Sequence, residues 1–246
     1  GFDPTPPTAG GIKVPVMFTV GELDFSRDRL EPVVANARSR GGLWSFAEVQ
    51  GMAHEEWRAY HLSRPFFEKC IALRYPQGAN PRSGPVVLND ITESSGWLGG
   101  GDDSWHSGVN GIYSYAEYPG NKAGAQWFVD EDMAVLHRGL VAWNMPIDLQ
   151  MFLGQRQLGW SKPADTVFIT EPGVEARLRV VPNGFSWNRI EFFRGRTKLG
   201  EVTSGEPEFT FTLGTQSLAQ GFTVLAHDAT ETQTAHPWSV VVMEAE

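Results

Sequence analysis

Cys70 is the only cysteine in this 246-residue chain. A lone thiol excludes an intrachain disulfide and any zinc site built on cysteines, and it leaves the redox compartment open. Positive charge is scarce too: 20 Lys and Arg face 29 Asp and Glu, for a net charge of −9. With no basic stripe, the chain has no electrostatic footprint for nucleic acid or for an anionic membrane. Apolar runs fall far short of the roughly 20 residues that cross a bilayer. No charged-then-apolar leader opens the sequence. His106, His137, His227 and His236 are too scattered for a transition-metal site, and Asp102-Asp103 lacks the calcium-loop spacing, so no metal or other cofactor is called for.

What is present is ordinary globular composition with an aromatic surplus. Hydrophobic residues make up 41% and charged residues 20%, which is enough for a core and excludes wholesale disorder. The length suits one large domain or two small ones. Gly 27 and Pro 16 imply many turns. The nine tryptophans are spread along the chain, most of them for packing and a few available for stacking on a sugar or polymer.

Residues 1–11, GFDPTPPTAGG, read as an extended arm. Residues 12–20, IKVPVMFTV, form a nearly continuous apolar run between glycines, the pattern of a strand buried on both faces, although Pro15 cannot donate to a ladder. Ser26 is placed to N-cap a helix over 27–39, with Leu30, Val33, Val34 and Ala37 on one stripe and Gly41-Gly42 ending it. A second strand follows at 43–49, then the loop GMAHEEW. A helix over 55–75 carries Trp57, Tyr60, Phe66, Phe67, Cys70 and Leu73. Strand, helix, strand, helix in 75 residues predicts a right-handed parallel βαβα unit. Residues 76–110 read as a long ordered loop with a short strand at 86–88. A strand is expected at 112–118, and a helix at 130–143 with Asp130 as N-cap.

From about residue 163 the pattern changes to seven short, often alternating segments separated by turn residues, among them EARLRVVP, RIEFFRG and WSVVVM. Seven strands in about 80 residues predict an antiparallel sandwich of immunoglobulin type. The expected organisation is an α/β portion over 1–160 and an all-β immunoglobulin-like sandwich over 163–246.

Two residues carry the chemistry. Asp24 follows the first strand in GELD, and His54 follows the second in GMAHEEW thirty residues later. In open α/β sheets, the C-terminal strand edge is where catalytic groups gather. An acid and a histidine from adjacent loops can meet there, the carboxylate fixing the imidazole tautomer while the other nitrogen acts as general base. Taken singly, Asp24 reads as a turn carboxylate at the head of the following helix, and His54 as a loop histidine. Glu55 and Glu56 suit the first turn of a helix, where the dipole favours acids.

VPVMFTVGELD and QGMAHEEW resemble the last two strand-loop units of an α/β-hydrolase. The branch is the one with polyester depolymerases, feruloyl and other carbohydrate esterases, and dienelactone-hydrolase-like enzymes. The resemblance covers residues 12–75 and reaches towards 145. It implies a partial α/β-hydrolase-like parallel sheet, with Asp24 as triad acid and His54 as triad histidine. The family also has a serine in a G-x-S-x-G elbow on an earlier strand, and no G-x-S-x-G occurs here. The resemblance therefore implies that nucleophile, oxyanion hole and core sheet lie N-terminal to Gly1, the chain being the C-terminal half of such a hydrolase. An apolar edge at 12–20 would then be left unpaired, inviting self-association or a companion chain that supplies the rest of the sheet. RIEFFRGRTKLGEV and FTVLAHDAT resemble bacterial immunoglobulin-like modules appended to secreted polymer-degrading enzymes.

The second candidate region, residues 94–127, sets Trp97, Trp105 and Trp127 among tyrosines and beside Asp102, Asp103 and His106. Aromatic faces beside carboxylates suit sugar binding or glycosidic cleavage; a Gly-rich loop packed by its own aromatics has the same look. Cys70 sits on an apolar stripe with no glycine-flanked elbow, as a small buried hydrophobe would.

The leading expectation is a secreted or periplasmic carboxylic-ester hydrolase, or part of one, acting on a polymer or carbohydrate ester. Its catalytic residues are His54 and Asp24, and its partners exclude nucleic acid and membrane. A carbohydrate-active or carbohydrate-binding protein using Trp97, Trp105 and Trp127 is the alternative, and a catalytically silent interaction module a third.

Overall fold

The computed structural model describes residues 7–54, 59–100, 111–141, 147–159, 168–214 and 219–243. Strand β1, Val16–Gly21, begins immediately after Pro15, where the first ladder bond runs from the Val16 N–H to the Leu43 carbonyl at 3.0 Å. The proline ring removes the preceding donor, and residues Gly11–Lys13, expected to open the strand, form a 3₁₀ turn instead. Helix α1, Arg27–Ser39, returns the chain to strand β2, Trp44–Val49, which pairs with β1 in parallel from Val16 opposite Trp44 to Gly21 opposite Val49. Val33, Val34 and Ala37 of α1 pack on Trp44 and on half-buried Val16, Phe18 and Phe46. Among the described residues no strand covers the other edge of β1.

The opposite face of this pair belongs to a larger core. Helix α2, Tyr60–Arg74, contributes Leu62 and Phe66. A three-stranded antiparallel sheet, ordered β4-β3-β5, adds Leu98, Trp127 and Phe128 from β3, Trp97–Gly99, β4, Tyr113–Ser114, and β5, Gln126–Phe128. Helix α3, Glu131–Val141, fills the centre with Met133, Leu136 and Leu140. Asp130 caps it: its Oδ1 accepts the Met133 N–H at 2.8 Å.

The strands of the C-terminal half are β6, Asp148–Leu153; β7, Arg156–Gln157; β8, Phe168–Thr170; β9, Glu175–Val181; β10, Arg189–Arg194; and β11, Thr197–Val202. They continue with β12, Glu208–Thr212; β13, Gln220–His227; β14, Thr232–Thr234; and β15, Trp238–Val242. One sheet runs β11-β10-β13-β15-β8, with β14 paired to β13, and the other runs β12-β9-β6-β7. Inward side chains of both, including Leu149, Leu178, Phe192, Phe222 and Trp238, meet in one apolar core.

The expected fold class is corrected on this point. The described residues form a mixed α/β fold with four small sheets of two, three, four and six strands, and among them none is closed or curled as an immunoglobulin-like sandwich would be. All seven expected segments contain strands, but they do not form a separate all-β unit. Strand β9 takes β6, from before residue 160, as a neighbour, while β8 joins β15 in parallel. Helices α2 and α3 also reach the larger sheet: the Ser239 N–H donates to His61 Nδ1 at 2.8 Å, and Leu136 fills the space that a side chain at Gly221 would need. Lys69 of α2 is ion-paired with Asp130 and Asp132, and Asp132 accepts the Arg196 N–H at 2.9 Å. The expected parallel sheet is, among the described residues, the pair β1-β2.

Three local expectations also change. Residues 86–88 form no strand and leave Val87 in solvent, because nothing there pairs with them. The strand expected over 112–118 is only Tyr113–Ser114, after which Tyr118 N–H bonds back to the Ser114 carbonyl in a turn. The helix expected from residue 55 is described only as Tyr60–Arg74, residues 55–58 lying outside the described ones. No helix among the described residues is long and apolar enough to cross a membrane.

Candidate active site

Strands β1 and β2 end side by side, and the loops that follow are laced together. The Glu22 N–H donates to the Val49 carbonyl at 3.0 Å, the Leu23 N–H to the Met52 carbonyl at 2.8 Å, and the Gly51 N–H to Glu22 Oε2 at 3.0 Å. The lacing needs glycine twice. Any Cβ at Gly21 would collide with the Met52 and Ala53 carbonyl oxygens, and Gly51 turns with φ of 66°.

This junction brings Asp24 and His54 together. His54 Nδ1 lies 2.7 Å from Asp24 Oδ2. The other carboxylate oxygen, Oδ1, accepts both the Ser26 N–H and the Ser26 hydroxyl, each at 2.7 Å. Asp24 is therefore not free in solvent: its side chain is 7% exposed, whereas that of His54 is 71% exposed. Burial pushes the Asp24 carboxyl up, but the Ser26 hydroxyl, the Ser26 N–H and His54 outweigh it and hold it below the usual 3.8. An ionised carboxylate accepts only, so Nδ1 carries the proton and donates it. Nε2 is then left with its lone pair, the arrangement a general base needs.

Ser26 was expected to cap α1 with its side chain. It makes no such cap bond: its backbone is helical, φ −87° and ψ −13°, rather than the extended form a cap takes, and its hydroxyl donates to Asp24. The serine two residues after an aspartate is an Asx-turn signal that could have identified it as the holder of the carboxylate. Phe25 was also missed: its ring lies on the His54 imidazole, with centroids 5.4 Å apart and planes at 31°. Behind the pair, Arg27 of α1 is ion-paired with Glu48 of β2, and Gln50 Nε2 donates to the other Glu48 oxygen at 3.1 Å, tying the helix start to the strand end.

No serine, threonine or cysteine among the described residues is hydrogen-bonded to His54. Burial pushes the Cys70 thiol up to about 12, which removes it as a nucleophile near neutrality. Buried His61 and His137 are core residues, bonded to Ser239 and to the Phe46 carbonyl. On the β10–β13 strands, His227 sits between Glu191 and Thr232, with 2.8 Å bonds to each. The described residues contain no group of three or more His, Cys, Asp or Glu side chains that could hold a metal ion.

Two of the three tryptophans of the aromatic region, Trp97 and Trp127, are described, and they pack in or against the core. Trp127 lies in the core, 1% exposed, its Nε1 donating to the Glu93 carbonyl at 3.0 Å, so the expectation that it offers a stacking face is corrected. Trp97 is half-buried on β3 and packs against the same core. Trp105, with Asp102, Asp103 and His106, lies outside the described residues.

No family model and no curated protein matches the chain. Among solved structures it is similar to the fibronectin(III)-like modules of Clostridium thermocellum CbhA, at 13% identity over 39% of this chain and 93% of that one, with a TM-score of 0.30. A likeness at that score assigns neither fold nor function.

Proposed function

We propose that this chain carries the acid–base pair of a carboxylic-ester hydrolase, acting outside the cytoplasm, with His54 as general base and Asp24 as the group that orients it. The observation that carries this reading is the 2.7 Å bond between His54 Nδ1 and an Asp24 carboxylate that Ser26 holds from the other side. The resemblance of the two strand-loop units to α/β-hydrolases supports the same assignment.

In this reading Nε2 takes the proton from the attacking oxygen, either water or a hydroxyl outside the described residues, as that oxygen bonds to the ester carbonyl carbon. The imidazolium so formed is stabilised by the Asp24 carboxylate. When the tetrahedral intermediate collapses, the ester C–O bond breaks and Nε2 returns the proton to the leaving alkoxide. Asp24 stays ionised throughout, because its folded-state acidity lies on the charged side at any pH near neutrality. The side-chain exposures fit this division: the Asp24 carboxylate, 7% exposed, is covered by its partners, and the His54 ring, 71% exposed, is open to substrate.

Hydrolysis of p-nitrophenyl esters by the purified chain tests the reading, with intact mass recorded to detect any second polypeptide. Wild type should exceed the buffer rate. His54→Ala should lower the enzymatic rate by about 10²-fold or more, and Asp24→Asn should lower it too by favouring the wrong tautomer. A wild-type rate equal to buffer, or two variants as fast as wild type, would overturn it.

A further inference from the structure

Asp24 is bracketed in sequence by two large apolar side chains that stand in solvent, Leu23 at 68% and Phe25 at 74% exposure. Single exposed apolar residues are common on protein surfaces. These two differ in their position, since both lie on the loop that delivers the acid, and the Phe25 ring rests against the imidazole of His54. The loop does not depend on either side chain: it is held by backbone bonds from Leu23 N–H to the Met52 carbonyl and from Asp24 N–H to the Gly21 carbonyl. The polar groups next to them are already occupied. Glu22 Oε2 accepts the Gly51 N–H, and the Asp24 oxygens accept from Ser26 and His54. Among the described residues these neighbouring groups already carry bonds, whereas the exposed ring offers an apolar group a surface to cover.

Resting on the ester-hydrolase reading of His54, we propose that Phe25 and Leu23 are specificity-determining residues of that site, taking the apolar acyl or aryl part of the substrate. The substrate class is then an apolar ester, monomeric or polymeric, in preference to an ester of a sugar. Phe25 lies against the imidazole that carries the reacting nitrogen, so a chain or ring laid across it is held next to that imidazole. Each buried methylene of such a substrate strengthens binding about fourfold.

Two readouts separate this inference from the reading beneath it. The first is binding: the ring resonances of His54 are followed by NMR while butyranilide, a stable aryl amide, or N-acetylglucosamine, a sugar amide, is added. Butyranilide should shift them in wild type, bind about tenfold more weakly to Phe25→Ala, and recover in Phe25→Leu, which keeps an apolar face. N-acetylglucosamine should leave them in place. The second is selectivity: the preference for p-nitrophenyl octanoate over the acetate should fall about tenfold in Phe25→Ala. Butyranilide binding that is absent, or equal in wild type and Phe25→Ala, overturns the inference, as does a sugar amide that binds as tightly. Hydrolysis that needs His54 but ignores Phe25 overturns it alone. Phe25-dependent binding with no hydrolysis supports the apolar surface and sinks the ester-hydrolase reading. Because Phe25 is exposed, its replacement leaves the core intact, which circular dichroism checks.

Discussion

The α-carbon of Gly21 is pressed against the Met52 carbonyl so closely that no side chain fits between them. Gly21 ends β1 and Met52 lies in the loop after β2, and their approach sets the distance between the backbone that carries Asp24 and the backbone that carries His54. Gly21→Ala should therefore act as a wedge. We expect it to destabilise the fold by about 2 kcal/mol, in the range of overpacking substitutions, and to part the two side chains. Urea unfolding gives the first quantity, and the downfield Nδ1 proton resonance of His54 reports the second. An alanine variant with wild-type stability and an unchanged His54 resonance would show that the loops tolerate the wedge and that Gly21 does not set the geometry.

Much of this junction is readable in the sequence, and for a local reason. An apolar run ending in glycine, an acid three residues on, a helix with a clean stripe and a second strand ending in G-x-x-H give the order of elements. Parallel pairing then places Asp24 and His54 at neighbouring ends. Boundaries follow from single residues too: Pro15 delays β1, and Asp130 starts α3. What the sequence hides is non-local. Strand β9 shows the alternation of a half-buried strand, but nothing in EARLRVV says that one of its neighbours is β6, before the apparent boundary at residue 163, rather than a later strand. Burial of Trp127 is equally hidden, because β5 is three residues long and its partner β3 lies thirty residues upstream. Ser26 illustrates a choice the pattern alone leaves open: at the head of α1 its backbone is helical and its side chain makes no cap, while its hydroxyl donates to the carboxylate.

Two buried imidazoles make the fold sensitive to acid well above the carboxylate range. Burial pushes His61 down to about 3, and pushes His137 down to about 4 against its bond to the Phe46 carbonyl. Both stay neutral in the folded chain and bind protons near 6.5 once it unfolds. Their contribution is therefore complete above pH 6.5 and lost progressively as pH falls towards about 4 and about 3. Each histidine adds a slope of about 1.4 kcal/mol per pH unit in that window. Urea midpoints at pH 7.0, 5.5 and 4.5 should drop steadily in wild type. His61→Leu should be less stable at pH 7 yet show roughly half the slope. Equal midpoints at pH 7.0 and 4.5 would show that these imidazoles are not buried neutral.

The thiol of Cys70 gives an independent check on where the chemistry is not. It lies on α2 against the core formed by α3 and the three-stranded sheet, and burial, helped by the nearby Asp130 carboxylate, raises it to about 12 while Arg74 opposes. Alkylation proceeds through the thiolate. At pH 8 a thiol near 12 is ionised about a thousandfold less than one near 8.5, and shielding by packed side chains slows reagents further. Iodoacetamide at pH 8 should therefore label the folded chain about a thousandfold more slowly than free cysteine, and at the ordinary rate in 8 M urea. Treatment should also leave the His54-dependent ester rate untouched at short times, since a thiol that stays protonated is not alkylated. Fast stoichiometric alkylation of the folded chain with matching loss of ester hydrolysis would place a reactive thiolate at the site. The nucleophile would then be Cys70 itself, and both the packing of α2 and the part assigned to an oxygen nucleophile would have to be given up.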